Sequence, residues 1–313
     1  MAEITINKKR GKILRDFKKN RMLYLLIIPV IVYFVIFAYG PMIGVVMAFQ
    51  EYNVADGFFG SPWVGFAQFK TFFQSYFFGR LIRNTIIFSL LDLVIVFPMP
   101  IILALLLNSV KNKIFKRSVQ TAVYMPYFIS IVVVAGLIQN FLAPTGFIGE
   151  AFIRLGLVPK GEYMLGMPQF FRGIIVVTNV WQIIGFQSII FIAALSSIDA
   201  SLYEAASIDG AGRTAKLLRI TLPSILPMIM LMLILKIGTL LGVAYEKIVL
   251  LYNTSTWEVG DVIGSYVYRL TFESNRPGYS YTTAIGLFNS VVSLILLLIA
   301  NVLSKKSTGY GLV

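Results

Sequence analysis

Residues 201–227 read SLYEAASIDGAGRTAKLLRITLPSILP, a polar and sharply punctuated segment set between two long apolar runs. Ser201, with Glu204 three positions on, has the form of a capping box, in which hydroxyl and carboxylate each satisfy a backbone N–H that the first helical turn leaves unpaired. The spacing predicts a short helix from Ser201, because Gly210 and Gly212 permit the positive φ that closes a helix. Pro223 and Pro227 suit the start of the apolar helix that follows, where a missing N–H costs little.

The runs on either side set the fold class. At 313 residues the chain is 58% hydrophobic and only 13% charged, against about 25% charged in an average soluble domain. Apolar stretches lie at 23–49, 81–107, 119–142, 173–195, 222–243 and 281–303. Each is near the ~20 residues that cross a hydrocarbon core about 30 Å thick. The expectation is an all-α polytopic membrane protein with six transmembrane helices. The first run is longer than a signal-peptide core and is followed by no convincing cleavage site, so it reads as a retained span, kinked at Gly40-Pro41. No repeat or linker divides the chain. It reads as a basic tail (1–22), one transmembrane domain (23–303) with a polar loop at 197–221, and a short tail (304–313).

Charge orients this arrangement. Seventeen Lys and Arg fall in the N-terminal tail, the 111–117 loop, the 213–219 segment and the C-terminal tail, against eight in the alternate loops. The positive-inside rule places both termini and the 197–221 loop on the cytoplasmic side of a multi-pass membrane protein. The net charge of +13 is then mainly topological and does not call for nucleic acid; the tail's basic cluster fits anionic lipid or a partner subunit. The alternate loops, 50–80, 143–172 and 244–280, are long and rich in aromatic residues and glycine, as expected of an interfacial belt or of a docking surface for an extracytoplasmic protein.

Several chemistries are excluded. There is no Cys and no His, which removes disulfides, thiolate nucleophiles, imidazole bases and the commonest transition-metal ligands. No Walker A pattern is present to hold a nucleotide triphosphate. The absence of His and Cys does not by itself exclude an enzyme, but with no paired-carboxylate or metal-ligand cluster either, the sequence predicts no cofactor or metal in this chain and no enzyme.

The order Glu204-Ala205-Ala206, three residues, Gly210, nine residues, Ile220, one residue, Leu222-Pro223, extended by Asp209 and Ala211, resembles the EAA signature loop of permease subunits of binding-protein-dependent ABC importers. The run WQIIGFQSIIFIAALSSIDASLYEAASIDGA, the opening YLLIIPVIVYFVIFAYGPMIGVVMAFQEYN and Asn84-Thr85 are similar to carbohydrate-uptake permeases of the maltose type, including those for complex oligosaccharides. The resemblance implies a type I importer permease fold in a bacterial cytoplasmic (inner) membrane. It also implies that Glu204, Ala205, Ala206, Asp209, Gly210 and Ala211 form a coupling helix seated on a cytoplasmic ATPase. The implied partners are a second homologous permease in a heterodimer, two ATPase subunits that bind ATP and Mg, and an extracytoplasmic solute-binding protein carrying an oligosaccharide.

Polar residues within the spans are the remaining candidates, since an unpaired charge in lipid is costly. Asp92 and Arg83 are nine residues apart, too far along one helix to pair directly, so each needs its own partner. Lys236 is a possible partner of Glu246, near the outer end of the same helix. Asn179, Trp181, Gln182, Gln187 and Ser188 place neutral hydrogen-bonding groups and an indole in an otherwise apolar span, and Asn289 and Ser290 do the same in the last. Amides for hydroxyls and an aromatic plate for a C–H face suit a sugar better than an ion. Association between helices through the same side chains is the competing reading. An importer permease for another solute, or a stand-alone carrier using Asp92, Arg83 and Lys236, stays open on these residues.

Overall fold

The computed structural model describes residues 19–242, 244–274 and 278–311. The expected basic tail before Lys19, with Lys8, Lys9, Arg10, Lys12, Arg15 and Lys18, lies outside them, as do Val243 and Arg276. The described chain is helical throughout, apart from loops and one antiparallel bridge between Gln50 and Trp63. Six helical stretches are long and apolar enough to cross a membrane: Arg21–Phe49, Phe78–Ser109, Ile131–Arg154, Pro168–Ser196, Arg213–Gly238 and Tyr279–Thr308. They are called the first to sixth spans below.

The chain forms two compact units. Among the described residues, one comprises 19–68 with 279–284 and the other 69–278 with 285–311. In the smaller unit, the first span leads into a loop that doubles back through the Gln50–Trp63 bridge. The loop is fastened by Phe49 stacked on Trp63, with centroids 5.7 Å apart, and by the Tyr52 backbone N–H donating to Ser280 Oγ at 2.8 Å. In the larger unit, one core cluster gathers Phe171, Ile175, Val134, Ile138, Ile248 and Leu251. A second joins Ala104, Phe191, Leu195 and Ile225 near the C-terminal end of the fourth span. Lipid tails are as apolar as these side chains, so close packing and polar contacts hold the spans together more than hydrophobic burial does. Gly185 makes one such approach possible: a Cβ there would lie 2.0 Å from the Val123 carbonyl oxygen.

The boundaries differ from the sequence expectation in two places. The stretch 119–142 is not one helix: Lys113–Tyr124 and Ile131–Leu142 are separated by a 3-10 turn at Met125–Phe128, where Pro126 enters. The first of these helices is capped by Asn112, whose side chain accepts from the Ile114 and Phe115 N–H groups. The fifth span starts at Arg213 rather than Leu222, because a helix continues through its polar first turns once they lie at the membrane edge. Pro223 is therefore internal to the span. It follows a wide π-helical turn at Leu217–Thr221, just as Pro41 follows one at Val35–Tyr39 and Pro98 one at Asp92–Val96. A proline lacks the N–H for the preceding turn and its ring crowds the carbonyl there, and the wider turn accommodates both.

The aromatic crowd at 50–80 divides. Phe72 is fully buried and, with Phe73, packs edge-on against Phe288 of the sixth span, whereas Phe59 and Tyr76 are exposed.

Candidate functional site

The signature loop is a nine-residue helix, Ala200–Ile208. Its cap is Asp199, not Ser201: the Asp199 side chain accepts from the Ser201 backbone N–H at 2.9 Å. That hydrogen bond holds the Asp199 carboxyl below the usual carboxylate range. Ser201 thus lies inside the first turn, and the Ser201–Glu204 capping box expected from sequence does not form. Gly210 closes the helix at φ +75°, with the Ala211 N–H reaching back to Ala206 O at 2.8 Å. Two contacts fasten the helix to the base of the fifth span: Tyr203 OH with Thr221 Oγ1 at 2.9 Å, and Lys216 Nζ donating to Ser207 Oγ at 2.6 Å. The opposite surface is bare. Leu202, Ala205, Ile208 and Asp209 share it at helical spacing, all exposed, Ile208 at 88%. Glu204 is exposed beside them and has no partner among the described residues.

At the other end of the fourth span lies a dense polar network, in which Arg80 Nε is the one buried side-chain nitrogen or oxygen without a hydrogen-bond partner among the described residues. Asn84, 0% exposed, donates to Glu258 O and Asp261 O and accepts from Arg172 Nη2. Thr85 Oγ1 accepts from the Ile263 N–H. Asp261, also 0% exposed, accepts from Arg80 Nη2 at 3.1 Å, Arg269 Nη2 at 2.8 Å and Ser265 Oγ at 2.9 Å. Arg83 pairs with the Glu258 carboxylate at 2.7 Å.

Deeper in the larger unit, Lys236 Nζ sits 2.6 Å from Asp92 Oδ2, so Lys236 is paired across to the second span and not with Glu246 of its own segment. The register of the two helices makes this possible, and Ser89 Oγ donating to Leu240 O at 2.9 Å fixes the same register.

The span-four candidates scatter. Asn179 Oδ1 accepts from Lys247 Nζ at 2.7 Å. Trp181 lines an apolar cavity of about 690 Å³ together with Phe141, Phe152, Phe170, Val177 and Thr178. Ser188 is buried and bonds within its helix to Gly185 O. Gln182 and Gln187 are half-buried. In the sixth span Ser290 bonds to Gly286 O, and Asn289 Oδ1 is buried with no hydrogen-bond partner among the described residues.

Lys247 is the residue that sequence reasoning passed over as one of the loop cations. It stands on the helix Tyr245–Leu251, 1% exposed, on the face of Ile248 and Leu251. The signal was available: an apolar stripe at 248 and 251 with a lysine beside it. Burial lowers its pKa to about 8.

Six apolar helices with a short capped helix at one end, its outer face bare, and a polar seam along one long span define a membrane transport subunit. Residues 97–309 match the family described as the binding-protein-dependent transport system inner membrane component, and the chain belongs to that family. It is 43% identical over 298 residues to protein LplB of Bacillus subtilis (strain 168), covering 94% of this chain and 92% of that one. It is 40% identical over 308 residues to the polygalacturonan/rhamnogalacturonan transport system permease protein YteP of the same organism, covering 97% and 94%. In structure it resembles a chain of a bacterial alginate ABC transporter, solved in complex with an alginate pentasaccharide-bound periplasmic protein: TM-score 0.86, 43% identity, covering 95% of this chain and 99% of that one. The chain is a multi-pass permease of an oligosaccharide ABC importer, not an enzyme. Such a permease works with a partner permease, a separate ATPase and a binding protein.

Proposed function

We infer that this chain is one half of a permease heterodimer served by two ATPase subunits and one solute-binding protein, with both termini and the Ala200–Ile208 helix on the cytoplasmic side. Glu204, Ala205, Ala206, Asp209, Gly210 and Ala211 seat on the ATPase, which holds the ATP and Mg; this chain holds neither. Closure of the ATPase dimer draws the two coupling helices together, and the spans change from inward-open to outward-open to accept the sugar. A loaded binding protein favours the outward state, since only differential affinity shifts such an equilibrium. Asn179, with Gln182, Gln187 and Asn289, supplies hydrogen-bonding groups along the sugar path.

The observation that carries this reading is the two-sided coupling helix. One side is tied to the fifth span through Tyr203 and Ser207, and the other offers exposed small and apolar side chains with an uncompensated Glu204. A helix built that way transmits a push from a partner to the span behind it. Affinity purification from native membranes tests it: an ATPase subunit and a second six-span permease co-purify with the wild type and are lost with Glu204→Ala. Glu204→Ala and Gly210→Pro abolish uptake while leaving insertion intact, and normal uptake by both would remove the coupling role.

A further inference from the structure

Among the described residues three acidic or basic side chains are buried: Asp92, Asp261 and Lys247. The two acids have cations against them, Lys236 on Asp92 and Arg80 with Arg269 on Asp261. Lys247 has no carboxylate within ion-pair distance among the described residues. Its sole hydrogen bond among the described residues is the 2.7 Å contact to the neutral amide oxygen of Asn179. An ammonium has three protons to donate, so at least two lack a described acceptor. A buried cation without a counter-charge is destabilising, and an apolar side chain of similar length would fill the same space at less cost. A charge here costs the fold, and an ionisable side chain in such a place is a functional candidate by default.

Position indicates what that is. Asn179 lies eleven residues, about 16 Å of helix rise, into the fourth span, among the amides that suit a sugar. The helix bearing Lys247 is entered through Ala244 at φ +56°, the one non-glycine residue in the left-handed region among those described. A strained residue at that point makes the helix a candidate for a second arrangement.

We propose that Lys247 is a specificity-determining residue of the translocation path, exchanging Asn179 Oδ1 for the carboxylates of an acidic oligosaccharide when the path opens. The proposal rests on the permease reading above. In the sugar-free state Asn179 holds the ammonium in place; in transit a uronate supplies the negative charge that the protein withholds. A neutral sugar offers Lys247 only hydroxyls and leaves its charge uncompensated, so the same residue disfavours neutral cargo. YteP, named for polygalacturonan and rhamnogalacturonan, and the transporter solved for the acidic polysaccharide alginate are relatives whose cargo carries such carboxylates.

The test uses the complete complex, with its own partner permease, ATPase and binding protein, in proteoliposomes. Uptake is measured for α-1,4-trigalacturonate, for an alginate trisaccharide and for the carboxyl-reduced form of each, in wild type, Lys247→Arg and Lys247→Met. Wild type is expected to import at least one acidic trimer in preference to its reduced form. Lys247→Met should lose that uptake tenfold or more with no fall in thermal midpoint, and Lys247→Arg should retain most of it. A purely structural lysine would lower the midpoint when removed, or change uptake of all cargoes alike, and would not alter acidic selectivity. Preference for neutral trimers, equal losses on both cargoes, or unaltered acidic uptake in Lys247→Met would each overturn the inference while leaving the permease reading intact. Failure of the ATPase to assemble with the wild-type chain would instead overturn the permease reading, and the inference with it.

Discussion

The Asp261 network and the Ala200–Ile208 helix sit at opposite ends of the fourth span and treat polar groups in opposite ways. In the network each acceptor is matched: one Asn84 amide joins Glu258, Asp261 and Arg172, and one carboxylate receives two guanidinium groups and a hydroxyl. In the helix only the inward side is matched, and Glu204, Leu202 and Ile208 face outward with nothing against them. Satisfied polar groups make a scaffold, whereas unsatisfied ones on a rigid support make a contact surface. Damage to the first should cost folding, and damage to the second should cost transport.

Asp261→Ala tests the contrast most severely. It leaves Arg80 and Arg269 without their shared carboxylate and should cost about 3–5 kcal/mol, seen as low membrane yield and a large fall in thermal midpoint. Asp92→Asn leaves Lys236 half-buried and unpaired, for about 2–3 kcal/mol, whereas replacing both residues with Met should restore most of the loss; a double variant no better than the single would show that more than the pair is at stake.

Lys247 is the interior residue that behaves like the loop, and pH exposes it. Its folded pKa, about 8, lies below the ordinary 10.5, so over that interval the unfolded chain binds more protons and stability rises with pH. The penalty is present in full below about pH 8 and is relieved as pH climbs toward 10.5. The wild-type midpoint should therefore gain a few degrees on Lys247→Met between pH 7 and pH 10, and a constant difference would mean that the site is solvated. Smaller still is Tyr203→Phe, which removes one hydrogen bond of about 1 kcal/mol; amide exchange in the Ala200–Ile208 helix should quicken roughly fivefold while the global midpoint stays put.

Much of this was legible in the sequence. Hydropathy located six spans because a bilayer crossing demands a length and composition that little else imitates, and the signature segment located the short Ala200–Ile208 helix because a turn glycine, Gly210, ends it. The cap was misplaced by two residues because Asp199 and Ser201 are both competent N-caps, and only the chain's entry angle chooses between them. The fifth span was begun late because Arg213, Lys216 and Arg219 read as loop. The Lys236–Asp92 pair was missed for a deeper reason: it depends on the register between two helices, and no single-helix spacing contains that. Lys247 was missed because its neighbour Glu246 made the segment look solvated.

The wide turns ahead of Pro41, Pro98 and Pro223 carry one more consequence. Each holds a surplus residue, and a single residue is about 100° of rotation around a helix. The two halves of such a span are out of phase, like a screw whose thread has slipped once. Side chains before and after residues 217–221 therefore cannot be assigned to a common face by counting in steps of 3.6. Deleting one residue there would rewind the turn to α and swing the Ala200–Ile208 helix by roughly a quarter of a revolution relative to the membrane. The azimuth at which that helix faces its neighbour is thus set by a miscount beside a proline.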